Sequence, residues 1–141
     1  MSLAHEPDAA FDILILDAFS SDSIPMHLMT REAMSLARAK LAPGGVILFN
    51  ISNRYLRLEN VVANAAHAAG LTGIDEFYIG PPSVKGRPDS SSHWVALAVD
   101  PADLARAARS GRWRTLGTDQ NAPLWTDDYS NLIGVIAFGR R

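Results

Sequence analysis

The 141-residue chain contains no cysteine. Disulfides, thiolate metal sites and a cysteine nucleophile are thereby excluded, and a reducing compartment fits. Nor does any G-x-G or G-x-G-x-x-G occur among its ten glycines. The pair Gly44-Gly45 precedes an apolar run instead of following one, so it cannot cradle a nucleotide at a helix N-terminus. Apolar runs are short, at residues 13–16, 46–49 and 133–138, and none approaches the ~20 residues that span a bilayer. The first residues lack the basic start and apolar stretch of a signal peptide. Net charge is −2, and no Lys/Arg cluster supplies the basic face that nucleic acid requires. Arg140 and Arg141 read as a solvated tail. The expectation is a soluble, cytoplasmic protein without nucleic-acid or membrane partners.

What remains is ordinary for a globular domain: 48% hydrophobic and 20% charged residues in a length suited to one core. Met1 to Leu3 read as a leader with no structural role, and residues 4–10 as a surface approach. FDILILD, residues 11–17, is apolar on both faces, which predicts a parallel strand covered on both sides. Thr30 is a natural N-cap for a helix over residues 31–41, with Glu32 in the first turn and Met29 and Met34 at hydrophobic-staple spacing. Pro43-Gly44-Gly45 closes that element, and residues 45–51 form a second parallel strand. A helix over residues 56–69 follows, with Leu58, Val61, Val62, Ala65 and Ala69 on its core face and Gly70 as its stop. Strands are predicted at residues 73–79, 93–99 and 132–138, with a Pro/Gly/Ser-rich loop at 81–92 and a short helix opened by Pro101. This order is that of an α/β protein with a largely parallel sheet.

In open α/β sheets ligands bind beyond the carboxyl ends of the strands, which singles out residues 17–29 and 52–55. Asp17 and Asp22 stand in the first of these loops. Paired carboxylates there suit an ammonium group, and one can act as general base; alternatively Asp17 caps loop amides and Asp22 is solvated. Residues 125–131, WTDDYSN, either fold over the mouth and add acidic groups or form a turn with Trp125 in the core. The four histidines make no i, i+4 pair, so a metal is not expected; a site from His27 and Asp22 has no motif behind it. Ser20 and Ser21 lack the G-x-S-x-G setting of a hydrolase elbow.

The strings FDILILDAFSSDSIPMHLMTREAM, LAPGGVILFNISNRYL and WTDDYSNL together resemble the spermidine synthase-like family, relatives of the polyamine aminopropyltransferases. The likeness covers residues 11–60 and 125–133, and the middle only in general pattern. It implies the Rossmann-like, three-layer fold of class I methyltransferases, mostly parallel with antiparallel C-terminal strands. It also implies a catalytic role for Asp17, which matches the family's strand-end Asp, and for Asp22 in the amine site. Here the two lie five residues apart where the family has three, and Ser23 stands where the family has Pro. That departure resembles the divergent branch more than the polyamine-making enzymes. Ser20, Ser21, Asp127, Asp128 and Tyr129 fall at substrate-side positions, and Asp17 and Ala18 where the family meets its cofactor.

The family's N-terminal hairpin, and the three strands bearing its G-x-G-x-G loop, would all precede residue 11. The expectation is therefore a leader at residues 1–10 and, at residues 11–141, the C-terminal half of a transferase domain. Such a half is an excised piece, a truncated gene product or one part of a split protein. The intact domain would use S-adenosylmethionine or its decarboxylated form to alkylate a small cationic amine, and this chain alone would bind neither cofactor tightly. A non-catalytic binding or assembly module of the same fold is the alternative. Strand 11–17, lacking a neighbour, is expected to pair with a second copy as a homodimer or higher oligomer.

Overall fold

The computed structural model describes residues 3–17, 26–53, 56–80 and 91–131. Its main elements are strand β1 (Phe11–Asp17), helix α1 (Arg31–Lys40), strand β2 (Leu41–Asn50), helix α2 (Glu59–Ala68), strand β3 (Thr72–Tyr78) and strand β4 (Ser92–Ala98). A 3-10 turn (Pro101–Leu104) then leads into the single turn α3 (Ala105–Ala108) and a short strand β5 (Arg114–Thr115). The sheet order is β1-β2-β4-β3-β5. Strands β1 and β2 pair in parallel, whereas β4 runs antiparallel between β2 and β3, and β5 runs antiparallel to β3. The first three strands thus share one direction and the two C-terminal strands oppose it: an α/β fold with antiparallel C-terminal strands. The strand expected at residues 132–138 lies outside the described residues.

Helix α1 begins where Thr30 caps it, with Ala33 N donating to Thr30 Oγ1 at 3.1 Å. Met29 and Met34, at staple spacing, are both fully buried. The helix ends at Lys40, and the chain turns straight into β2 at Leu41, so Pro43-Gly44-Gly45 lies inside the strand rather than after the helix. The β1–β2 register slips between Phe11 and Ile13 to absorb those residues. A side chain at Gly45 would meet Phe11 O at 2.8 Å, which explains a residue without Cβ there. Helix α2 closes on Gly70 at φ +74°, with Gly70 N donating to His67 O and Leu71 N to Ala66 O. This is the Schellman arrangement expected of a glycine stop.

Alternation along the strands divides the core into two layers. Ile47, Phe49, Val95 and Leu97 face α1 and α2 in one cluster with Met34, Ala37, Leu58, Val61, Val62 and Trp125. Val46, Leu48, Ile74, Ala96 and Ala98 face the other way, toward Leu104, Ala107 and Trp113. Strand β1 departs from the sequence expectation. Leu14 and Leu16 pack on the first layer, but Ile13 and Ile15, on the second face, are each 60% exposed. The 3-10 turn and α3 cover β2, β4 and β3, and among the described residues nothing extends that layer over β1.

The N-terminal segment is held down more firmly than its composition suggests. Leu3 sits in a 3-10 turn (Leu3–His5) and packs against the first core layer. The buried Lys40 ammonium donates to Glu6 O and to Asp8 Oδ1, each at 2.6 Å. Burying a charge requires such acceptors, so the lysine fixes the segment that supplies them.

A second buried charge joins β3, β4 and β5. Asp75 Oδ2 lies 2.9 Å from His93 Nε2 and accepts from an Arg114 terminal nitrogen at 2.8 Å. The Phe77 and His93 rings meet edge-on at 5.4 Å. Burial opposes the Asp75 charge, but the bonds from His93 and Arg114 outweigh it and hold the carboxyl below its ordinary range. A carboxyl depressed in the folded state contributes stability above its unfolded pKa, near ~4, and that contribution is lost as pH falls through the folded value. Denaturant unfolding measured across acidic pH should therefore show a shallower loss of stability in Asp75→Asn than in the parent; equal slopes would remove Asp75 from that role. Phe49→Ala, at a fully buried position in the α1–α2 layer, should cost about 3–5 kcal/mol by the same measurement.

Candidate functional site

The carboxyl ends of β1 and β2 lie side by side, with Asp17 in register with Asn50. Each is the polar residue that ends an apolar run, and each alternates to the face that carries Ile13 and Ile15. Asn50 Nδ2 donates to Asp17 Oδ1 at 3.0 Å. The other end of the same amide is occupied as well: Asn50 Oδ1 accepts from Ser52 N at 3.0 Å and from Ser52 Oγ at 2.6 Å. Ser52 Oγ in turn accepts from His93 N at 2.9 Å. Asp17 itself is exposed, and Asn50 braces one of its carboxylate oxygens.

The WTDDYS segment takes the second of its two expected forms. Trp125 is fully buried in the first core layer, and its carbonyl accepts from Arg31 N at 2.9 Å. Thr126 and Tyr129 exchange backbone hydrogen bonds of 2.8 and 3.0 Å, closing a tight turn. Within it, Asp127 Oδ1 accepts from Thr30 Oγ1 at 2.7 Å, and Asp127 N donates to Glu32 Oε2 at 3.1 Å. The hydrogen bond from Arg31, with that from Asp127 N among the lesser causes, holds the Glu32 carboxyl below its usual range. The turn therefore closes the first turn of α1, where Arg31 N finds its acceptor in Trp125 O and Ala33 N in Thr30 Oγ1. Asp128 and Tyr129 are exposed beside it.

Between this turn, α1 and the N-terminal 3-10 turn runs a groove of about 1010 Å³. Leu16, Leu36 and Leu3 line its apolar part, and Thr30, Glu32 and Asp127 its polar end. Leu16 opens onto this groove, whereas Asp17 alternates to the opposite face of the sheet. The structure thus joins Asp17 to Asn50 and Ser52, and Asp127 to Thr30 and Glu32. Ala18, Ser20, Ser21 and Asp22 lie outside the described residues. No group of three or more His, Cys, Asp or Glu side chains suited to a metal occurs among the described residues.

Sequence reasoning pointed to the loop at residues 52–55 but passed over Asn50, and His93 read only as the start of a strand. The available signal was a polar residue closing an apolar run at each of two adjacent strands. The described residues also bear on an S-adenosylmethionine-type cofactor. Gly70 closes α2, and Gly73 is packed against Leu97 and Leu116. Gly44 and Gly45 lie within β2, and the start of α1 is filled by its own caps. These residues alone do not fit such a group.

No helix among the described residues is long and apolar enough to cross a membrane. No family model matches the sequence, and no curated protein matches it. Among solved structures, the chain is similar to a probable spermidine synthase from Corynebacterium glutamicum ATCC 13032, with a TM-score of 0.54 at 18% identity. The alignment covers 92% of this chain and 52% of that one, so the chain spans about half the length of the structure it matches. At this identity the likeness concerns the fold: the mixed sheet, five-stranded among the described residues, with its helices is of the spermidine synthase, Rossmann-like methyltransferase type.

Proposed function

We propose that this chain forms the amine-facing wall of a spermidine synthase-like transferase, one that moves an aminopropyl or methyl group from a sulfonium donor to an amine. The observation that carries this is Asp17, an exposed carboxylate at the carboxyl end of β1, braced by Asn50 in a sheet of the matching fold. An alkylammonium has a pKa near ~10 by analogy with lysine and cannot attack while protonated. Asp17 would accept that proton, leaving a neutral amine with a free electron pair beside a protonated carboxyl. Acidic groups also favour a cation over an anionic acceptor at this mouth. By the family resemblance alone, Ser20, Ser21 and Asp22 would belong to the amine site and Ala18 to the cofactor side of the intact domain. Asp127, tied to Thr30 and Glu32 on the opposite face of the sheet from Asp17, is left out of this amine site, with its turn neighbours Asp128 and Tyr129.

With no G-x-G loop in its sequence, the chain is expected to bind an amine but not the donor. Calorimetric titration with 1,4-diaminobutane should show binding that weakens roughly tenfold in Asp17→Asn, the loss of about one charged hydrogen bond. Equal affinities would remove Asp17 from the amine site. Micromolar binding of S-adenosylmethionine or its decarboxylated form by this chain would overturn the view that the donor site lies elsewhere.

An assembly role is favoured by a separate observation, the exposed Ile13 and Ile15 on an edge strand. A two-fold antiparallel pairing of β1 with a second copy, centred on Leu14, sets Ile13 opposite the partner's Ile15 on one face. In that register Asp12 and Asp17 fall opposite the partner's Leu16 and Phe11, so no like charges confront each other. Among the described residues no strand pairs with the outer edge of β1, and that edge would supply the backbone donors and acceptors. Sedimentation at tens of micromolar should give a dimer mass that reverts to monomer in the Ile13→Lys, Ile15→Lys double variant. A monomeric parent would exclude this assembly.

A further inference from the structure

We infer that Asn50 and Ser52 are positioning residues for Asp17, at the end of a one-way hydrogen-bond chain that starts at the backbone amide of His93. The inference deepens the proposal for Asp17 and rests on it for its chemical purpose. Its direction follows from the chemistry of the groups. A backbone N–H can only donate, so Ser52 Oγ must accept from His93 N at 2.9 Å. The single hydroxyl proton of Ser52 is then free for Asn50 Oδ1, 2.6 Å away. That oxygen also accepts from Ser52 N at 3.0 Å, so both of its lone pairs are engaged. The amide of Asn50 is thereby oriented, and its NH2 must face Asp17 Oδ1 at 3.0 Å. Rotating the amide by half a turn would set its oxygen against the carboxylate and its NH2 against two donors.

The start of the chain is anchored as firmly as its end is free. Ile51 N donates to His93 O at 2.8 Å, so the β2–β4 ladder runs up to this point and the Ser52 hydroxyl then takes the place of its next backbone rung. The His93 ring is buried against Asp75 and Phe77, with Arg114 bracing the same carboxylate oxygen. Position is thus carried from a buried, charge-linked joint in β3 and β4 to an exposed carboxylate at the end of β1. One oxygen of Asp17 is held by this chain.

Amide exchange followed by NMR on the chain itself tests this without requiring turnover. Ser52→Ala should raise the exchange rates of the His93 backbone amide and the Asn50 side-chain NH2 together, each roughly tenfold or more, while Ser52→Thr, which keeps the hydroxyl, should restore both. Asp17→Asn should move the Asn50 side-chain NH2 resonances and leave the His93 amide protected. In parallel, 1,4-diaminobutane affinity should fall in Ser52→Ala and recover in Ser52→Thr. Unchanged exchange at His93 and Asn50 in Ser52→Ala overturns the chain. If the exchange changes appear but no variant nor the parent binds the amine, the chain stands and the role given to Asp17 falls.

Discussion

The β2–β4 ladder governs the rest of the molecule. Five residue pairs, from Val46 with Ala98 to Asn50 with Trp94, lock two strands whose side chains feed both core layers. Because β4 runs against β2, it brings its own beginning to the carboxyl end of the parallel strands. His93 and Trp94 arrive there beside Asn50, although more than forty positions separate them in sequence. Ile47 and Phe49 on one side and Val46 and Leu48 on the other are then buried by different partners. Helices α1 and α2 cover the first set, and the 3-10 turn with α3 covers the second.

Much of this was legible in the sequence because it depended on local chemistry. The apolar runs of β1 and β2, the Thr30 cap with its methionine staple, the stripe of α2 and the Gly70 stop all rest on neighbours within a few positions. What was not legible required long-range pairing. The bare face of β1 depends on how far the α3 layer reaches, which no local pattern records. Pro43-Gly44-Gly45 read as a terminator because its accommodation is a register slip against Phe11 on another strand. The firm hold on residues 4–10 depends on Lys40, whose burial cannot be inferred from its type.

The candidate site divides in the same way. Asp17 stood out as a carboxylate ending a hydrophobic strand, and the resemblance to spermidine synthase-like proteins sharpened that choice. Asn50 and Ser52 become visible only once β1 and β2 are adjacent and His93 supplies the donor that orients them. Asp127 shows the converse. Its acidic neighbourhood suggested a ligand, but in space it is bound to the Thr30 hydroxyl and beside Glu32, where it completes the helix start. A carboxylate near the mouth of a fold thus has to be weighed by what already occupies its oxygens.

The bond between Thr30 and Asp127 spans 97 positions of the chain, and the Trp125 carbonyl closes the same helix start. During ribosomal synthesis at about 5–20 residues per second, α1 would therefore wait roughly 5–20 s for the turn that completes its cap and for the tryptophan that fills the layer beneath it. Over that interval Met29 and Met34 lack their largest neighbour. The delay between making α1 and completing its cap is thus set by the length of chain that separates Thr30 from Trp125 and Asp127, and lengthening that stretch would lengthen the delay.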